Sequence, residues 1–366
     1  MKLFKSLLVA PATLGVLAPM SATANEVTIS DFSPAEQIAV TNSRVDGLEA
    51  RMNDMEAGGF SETTTASFSL DTVIGAVDGG NDATEAVSFD YQMNIGLSTS
   101  FTGEDSLDVT IDVGGTGAAA TGTEAAQIMG YQKTGDAMVV DGITYTFPVG
   151  GATVVVGDTT DISSTFTGAC AYSAFTDSTP DDCGTGNSLG VGGNGVTASI
   201  GYAFDSGFSL AGGVSSTETA IMTKEGTDTY GIEAAYTADT YGLAVAYVSV
   251  DNATSSESTY WGVNGFYDFD LASISVGVET EETSGVDESG YFVGLSFPEV
   301  GPGSVNIAVA TQENYKDSET ELLIYEASYS YPINDGMTVT PGVYIKEASG
   351  STDDDTGFLV KTSFSF

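Results

Sequence analysis

The sequence predicts an all-β chain: a 16-stranded antiparallel transmembrane β-barrel preceded by a short coiled-coil helix. Three observations predict it. Oily and wet residues alternate over stretches too long for a soluble sheet. The connections between those stretches alternate in length. The final stretch runs through alternating aromatics to Phe366.

Residues 1–24 read as a secretory signal. Lys2 and Lys5 form a positive n-region, Leu7 to Leu17 is mostly apolar, and Ala22-Thr23-Ala24 supplies the small residues a signal peptidase requires. Pro11, Gly15 and Pro19 interrupt the run, which is too short to cross about 30 Å of hydrocarbon as a helix. No later stretch is long and apolar enough for a spanning helix, so membrane residence requires a closed barrel.

Residues 25–59 have a different character. Ser33 and Pro34 suit an N-cap and a first helical turn. Ile38, Val45 and Met52 then recur at heptad spacing, Leu48 and Met55 occupy the second seam position, and Thr41 is its weak member. A helix this short is marginal alone in water, so self-association is expected. An amphipathic helix on the barrel or membrane surface is the alternative. The narrow stripe favours the coiled coil, and Gly58-Gly59 ends it.

Residues 60–366 carry the barrel. Val87, Phe89, Tyr91, Met93, Ile95, Leu97 and Phe101 share one face, while Ser88, Asp90, Gln92, Asn94, Gly96 and Ser98 share the other. Soluble strands average about six residues, whereas a strand with lipid outside and water inside must sustain the alternation for about ten. The same period places strands over 63–75, 86–102, 105–113, 138–147, 152–158, 196–204, 207–215 and 228–237. The remaining eight fall over 240–250, 258–268, 271–281, 288–297, 303–313, 320–331, 337–347 and 356–366. Connections after even-numbered strands are short, such as Ala238-Asp239 and Phe269-Asp270. Those after odd-numbered strands are mostly longer and rich in Asp, Gly, Ser and Thr, as expected for turns on one side of a membrane and loops on the other.

The longest connection, Thr159 to Asn194, follows strand five and holds both cysteines, Cys170 and Cys183. In an exported chain this spacing predicts a disulfide closing a short loop, worth about 3 kcal/mol through restriction of the unfolded chain. A loop this long could fold into the barrel and narrow it, presenting Asp161, Asp177, Asp181 and Asp182; an outward, shielding loop is the alternative.

Composition limits the chemistry. The formal net charge is −42, so no duplex or polyphosphate partner is expected. With 18 phenylalanines, 17 tyrosines and a hydrophobic fraction of 41%, the chain has the means to fold despite its acidity. It contains no histidine, which removes Ser-His-Asp hydrolysis, Cys-His catalysis and most zinc sites. No catalytic constellation, metal site or cofactor is expected, and the chain does not read as an enzyme.

One segment carries a family resemblance. Arg44-Val45-Asp46-Gly47-Leu48-Glu49-Ala50-Arg51, followed by Met55-Glu56-Ala57 and Phe60-Ser61, resembles the coiled-coil-to-barrel junction of cyanobacterial outer-membrane porins of the carbohydrate-selective and iron-uptake group. The opening Met1-Lys2-Leu3-Phe4 through Leu8-Val9-Ala10-Pro11 is similar to signal peptides of such proteins. The resemblance covers mainly the first 65 residues and the overall layout. It implies an outer-membrane channel, commonly a trimer, embedded in outer-membrane lipid. The chain departs from the family in lacking the S-layer-homology domain usual before the coiled coil, so cell-wall anchoring is not carried over.

Strand parity then names an expected pore lining: Asp71, Asp90, Asp108, Asp112, Glu233, Glu279 and Glu326, with Lys346 and Lys361 as inward bases. No arginine occurs after Arg51, and rings of carboxylates favour cations. The expected function is passive diffusion of small hydrophilic solutes and ions with weak cation selectivity. A substrate-specific channel for carbohydrates or iron species and an acidic surface structural protein are the alternatives. Tyr91, Tyr202, Tyr236, Trp261, Tyr267, Tyr329 and Phe366 are expected at the membrane interfaces.

Overall fold

The computed structural model describes residues 64–79, 86–115, 124–189, 195–221, 223–252, 257–316, 318–350 and 353–366. The leader and the heptad residues Ile38, Val45, Leu48, Met52 and Met55 lie outside the described residues.

The described chain forms a closed barrel of sixteen antiparallel strands, each paired with its neighbours in sequence. They are β1 (Thr64–Asp78), β2 (Ser88–Thr99), β3 (Ser106–Gly114), β4 (Val139–Val149), β5 (Ala152–Asp158), β6 (Val196–Ala203), β7 (Phe208–Ser216) and β8 (Asp228–Thr237). β9 (Tyr241–Asp251), β10 (Ser258–Asp268), β11 (Ser273–Thr283), β12 (Val286–Val300), β13 (Gly303–Thr311), β14 (Leu323–Asn334), β15 (Met337–Lys346) and β16 (Asp355–Ser365) complete it. Closure joins β1 to β16 from Ser69↔Ser365 to Asp78↔Thr356. Phe68 and Phe366 exchange backbone hydrogen bonds of 2.9 and 3.0 Å, and their rings stack at 5.7 Å. The aromatic end of the chain thus seals the sheet against its first strand and removes both free edges.

The outer wall is apolar because alternate residues face outward. Ile232 on β8 is 62% exposed while its neighbour Glu233 is 4% exposed, and β6, β9 and β10 repeat this contrast. At the short-turn end the outward rings touch in series: Tyr202 with Phe204, Phe208 with Tyr236, Tyr236 with Tyr241, and Tyr267 with Phe269. Tyr329 and Tyr331 extend the belt. Such a girdle is where amphipathic rings sit between hydrocarbon and water. Tyr91 and Trp261 fall at the other end, with Trp261 against Tyr247 at 4.8 Å.

The alternation of loop lengths has one exception. β11 and β12 extend beyond their expected ends and meet through Ser284-Gly285 alone. Both residues have positive φ, 57° and 73°, the backbone a two-residue hairpin turn requires to match the twist of its strands.

Candidate functional site

Two long-side loops fold into the barrel. L3, the connection after β5, lies against the inner faces of β6 to β15, and pairs its own backbone only in short turns, such as Phe166 N–H to Ser163 O and Leu189 N–H to Thr185 O. Many of the N–H groups between those turns are received by side chains of the wall, which answers where they go once the loop leaves water. Glu233 on β8 accepts from the amides of Thr167 at 3.0 Å and Gly168 at 3.2 Å. Asn264 on β10 accepts from Ala169 N–H at 2.8 Å, and its own amide donates to Asp182 O and to Thr185. Ser275 on β11 accepts from Ala171 N–H.

Glu279 and Glu326 are the larger anchors. Glu279 on β11 receives the Ser188 amide and hydroxyl, both at 2.7 Å, together with side-chain amides of Asn187 and Asn314. Glu326 on β14 receives the amides of Phe175 at 2.8 Å and Thr176 at 3.0 Å, and the hydroxyls of Tyr172, Thr176 and Thr179. The expectation that Glu233, Glu279 and Glu326 line open water is therefore corrected. They are on the inner face, but L3 closes over them and leaves them 4%, 1% and 3% exposed. A carboxylate buried with several donors is satisfied, and charge-assisted hydrogen bonds are about twice as strong as neutral ones.

The loop also needs bare wall to lie on. A Cβ at Gly277 would stand 1.8 Å from the Cys183 carbonyl oxygen, and one at Gly262 would stand 1.8 Å from Ser188 Oγ. These two glycines let the L3 backbone approach the sheet where a side chain would hold it off. Cys170 and Cys183 form the expected disulfide with a Cα–Cα distance of 5.7 Å. Both pack against Phe292, Ala308, Ala310 and Ile324, which puts an apolar seat inside the barrel. Asp182 and Cys183 hold left-handed backbone, φ 50° and 57°, at the tightest part of this segment.

L2, the connection after β3, is the second inward loop and was not foreseen. Its short helix α1 (Glu124–Ile128) and the following Met129 and Tyr131 pack on Val73 and Val77 of β1, Tyr344 of β15 and Leu359 of β16. Phe175 of L3 joins the same cluster, and Asp177 N–H donates to Ile128 O at 2.9 Å, so the two loops brace each other.

The remaining expected residues separate. Asp71 on β1 pairs with Lys361 on β16 at 3.4 Å. Asp112 on β3 is 4% exposed and accepts from the Asn94 amide at 2.6 Å. Asp90 on β2 is buried and caps its neighbour's amide at 2.8 Å, and Asp108 accepts from Ser106. Asp177, Asp181 and Asp182 of L3 are exposed, and Asp161 is half-buried where the loop begins. The wall desolvates the Asp181 and Asp182 carboxyls and pushes both above the usual carboxylate range. Asp177 and Asp182 add to this at Asp181, and Asp161 adds to it at Asp182. Among the described residues no cluster of His, Cys, Asp and Glu could hold a metal ion.

The closed barrel matches solved structures. OprB of Pseudomonas putida superposes with a TM-score of 0.66 at 12% identity, over 85% of this chain and 97% of that one. The fold is that of the bacterial porins. A loop-deletion form of OmpT, an outer membrane protein of Vibrio cholerae, gives 0.58 at 12% identity over 83% of this chain and all of its own. A mutant of the Rh. blastica porin gives 0.52 at 15% identity over 82% of this chain and all of its own. No family model matches the chain. An uncharacterised protein of Nostoc sp. is 32% identical over 160 residues, 37% of this chain; the match spans 27% of that relative's length.

Proposed function

We propose that the chain is an outer-membrane porin through which small hydrophilic solutes and ions diffuse passively, with a weak preference for cations. The observation that carries this reading is the clamp itself. Wall carboxylates and amides hold L3 inside a closed barrel, and the loop presents Asp177, Asp181 and Asp182 to the interior. A narrowed passage bounded by carboxylates in a low-dielectric wall concentrates cations. Asp71, Asp90, Asp108 and Asp112 add to the same sign of field, offset in part by Lys346 and Lys361. The proposal includes export by the leader at 1–24 and assembly as a homotrimer tied by the heptads at 25–59. Reconstitution into planar bilayers tests it: stepwise conductance with a reversal potential favouring potassium over chloride in a salt gradient is the expected result. Anion preference would refute the selectivity, and an absence of conductance would refute the channel.

A further inference from the structure

On the long-loop side of L3 lies a cavity of about 430 Å3, bounded by the loop, β11, β13 and the end of β15. Its lining is chemically lopsided. Asp177, Asp181 and Glu313 bring carboxylates, and Lys346 is the one base among the described lining residues. Two other lysines are already taken up by acids: Lys361 by Asp71 at 3.4 Å, and Lys316 by Glu288 at 3.1 Å and Glu319 at 3.4 Å. Lys346 holds no ion pair among the described residues. Glu279, on the cavity floor, is occupied by Asn187, Ser188 and Asn314. Gln312 gives its amide hydrogens to the carbonyl oxygens of Leu323 and Glu347, which leaves its own carbonyl oxygen to accept.

We propose that this cavity is a recognition subsite for small zwitterions, with Asp177 and Asp181 receiving an ammonium group and Lys346 receiving a carboxylate. The reasoning is one of complementarity. A simple cation meets the repulsion of Lys346, and a simple anion meets that of four carboxylates, Asp177, Asp181, Glu279 and Glu313. A solute carrying both charges satisfies both walls at once. Desolvation and the neighbouring Asp177 and Asp182 hold the Asp181 carboxyl above its ordinary range, a strain that an ammonium beside it would relieve. The inference rests on the channel reading and deepens it by naming a solute class.

Four probes of equal chain length separate the possibilities: 4-aminobutyrate, butylammonium, butyrate and 1,4-butanediol. Each is added in rising concentration to single channels of the full chain in planar bilayers. Saturable reduction of current is expected for 4-aminobutyrate, at a half-effect concentration about tenfold below that of butylammonium, with butanediol acting only linearly by volume. Lys346→Gln should raise the 4-aminobutyrate value about tenfold and leave that of butylammonium within about twofold. Asp181→Asn should raise both. Equal half-effects for 4-aminobutyrate and butylammonium would make this a simple cation site and overturn the proposal. So would linear reduction by all four probes, or a Lys346→Gln channel with unaltered 4-aminobutyrate response. Conducting channels without saturation sink this inference alone, whereas absence of channels sinks the functional reading beneath it.

Discussion

L3 and L2 both fold into the barrel, and they are held there by opposite chemistry. L3 is a run of short turns tied to the wall through the polar side chains of Glu233, Asn264, Glu279 and Glu326. L2 is a small apolar plug, with Ala125, Ala126, Ile128, Met129 and Tyr131 seated on Val73, Val77 and Leu359. The polar clamp is directional and fixes where the L3 amides it receives sit. The apolar plug is indifferent to direction and fixes only that L2 stays inside. The two meet where Phe175 of L3 joins the apolar cluster of L2 and Asp177 N–H donates to Ile128 O.

The comparison breaks hardest at Glu326. Glu326→Ala leaves the buried amides of Phe175 and Thr176 without an acceptor, at a cost of about 3–5 kcal/mol to the seating of L3. Larger and noisier single-channel conductance is expected, with proteolytic nicking of L3 in the folded, detergent-solubilised barrel. An unchanged current trace would show that the clamp does not position the loop. Replacing Cys170 and Cys183 by Ser comes next, with a loss of about 3 kcal/mol of chain restriction. Because the wall anchors persist, conductance should stay near that of the parent at room temperature while L3 becomes protease-sensitive at a lower temperature. On the other side of the comparison, Ile128→Ala removes apolar contact from L2 at about 2–3 kcal/mol. It should loosen L2 first and disturb L3 only through Phe175 and the Asp177–Ile128 hydrogen bond, so the change in conductance should be smaller than for Glu326→Ala. A larger change would make L2 the principal determinant of pore size.

The same contrast explains what could be read from the sequence. The strands were legible because lipid outside and water inside impose a period of two with no tolerance for slippage, and all sixteen were placed within a few residues of their observed ends. Parity also put Glu233, Glu279 and Glu326 on the inner face, but parity cannot say whether the inner face meets water or a loop. Their donors lie between 35 and 154 residues away along the chain, from Asn314–Glu279 to Tyr172–Glu326, and such pairings leave no local pattern. L2 did leave a signal. Ala125-Ala126-Gln127-Ile128-Met129-Gly130-Tyr131 is an apolar island in a polar connection, and Val73, Val77, Tyr344 and Leu359 are apolar at positions where parity expects wet residues. Oily residues on the wet face of a barrel strand mark something packed against them. The glycines under L3 were illegible because a glycine at an inner position reads equally as a weak point in a strand or as room for a neighbour.

The smallest expected effect is a titration, and it sets L3 against the turn between β2 and β3. Asp105 in that turn accepts from the Thr102 amide at 2.7 Å and the Phe101 amide at 2.9 Å, with Tyr145, Thr102 and Ser100 hydroxyls adding to them. These donors hold its carboxyl far below the ordinary range. A depressed carboxylate contributes stability that is present above its unfolded pKa and lost only as pH falls through the folded value. Asp181 and Asp182 behave in the opposite sense, since desolvation raises both. Their protonated forms are favoured by the folded chain, so the seating of L3 gains stability as pH falls through their raised values toward the unfolded one. As acid is added, cation preference should therefore weaken while pH is still above the ordinary aspartate value of about 4, with the barrel intact and L3 no less protected from protease. Asp181→Asn with Asp182→Asn should remove that early step in the reversal potential and leave the later one due to the remaining acids. A reversal potential that stays constant down to the ordinary range would mean that these two aspartates do not govern the ions passing L3.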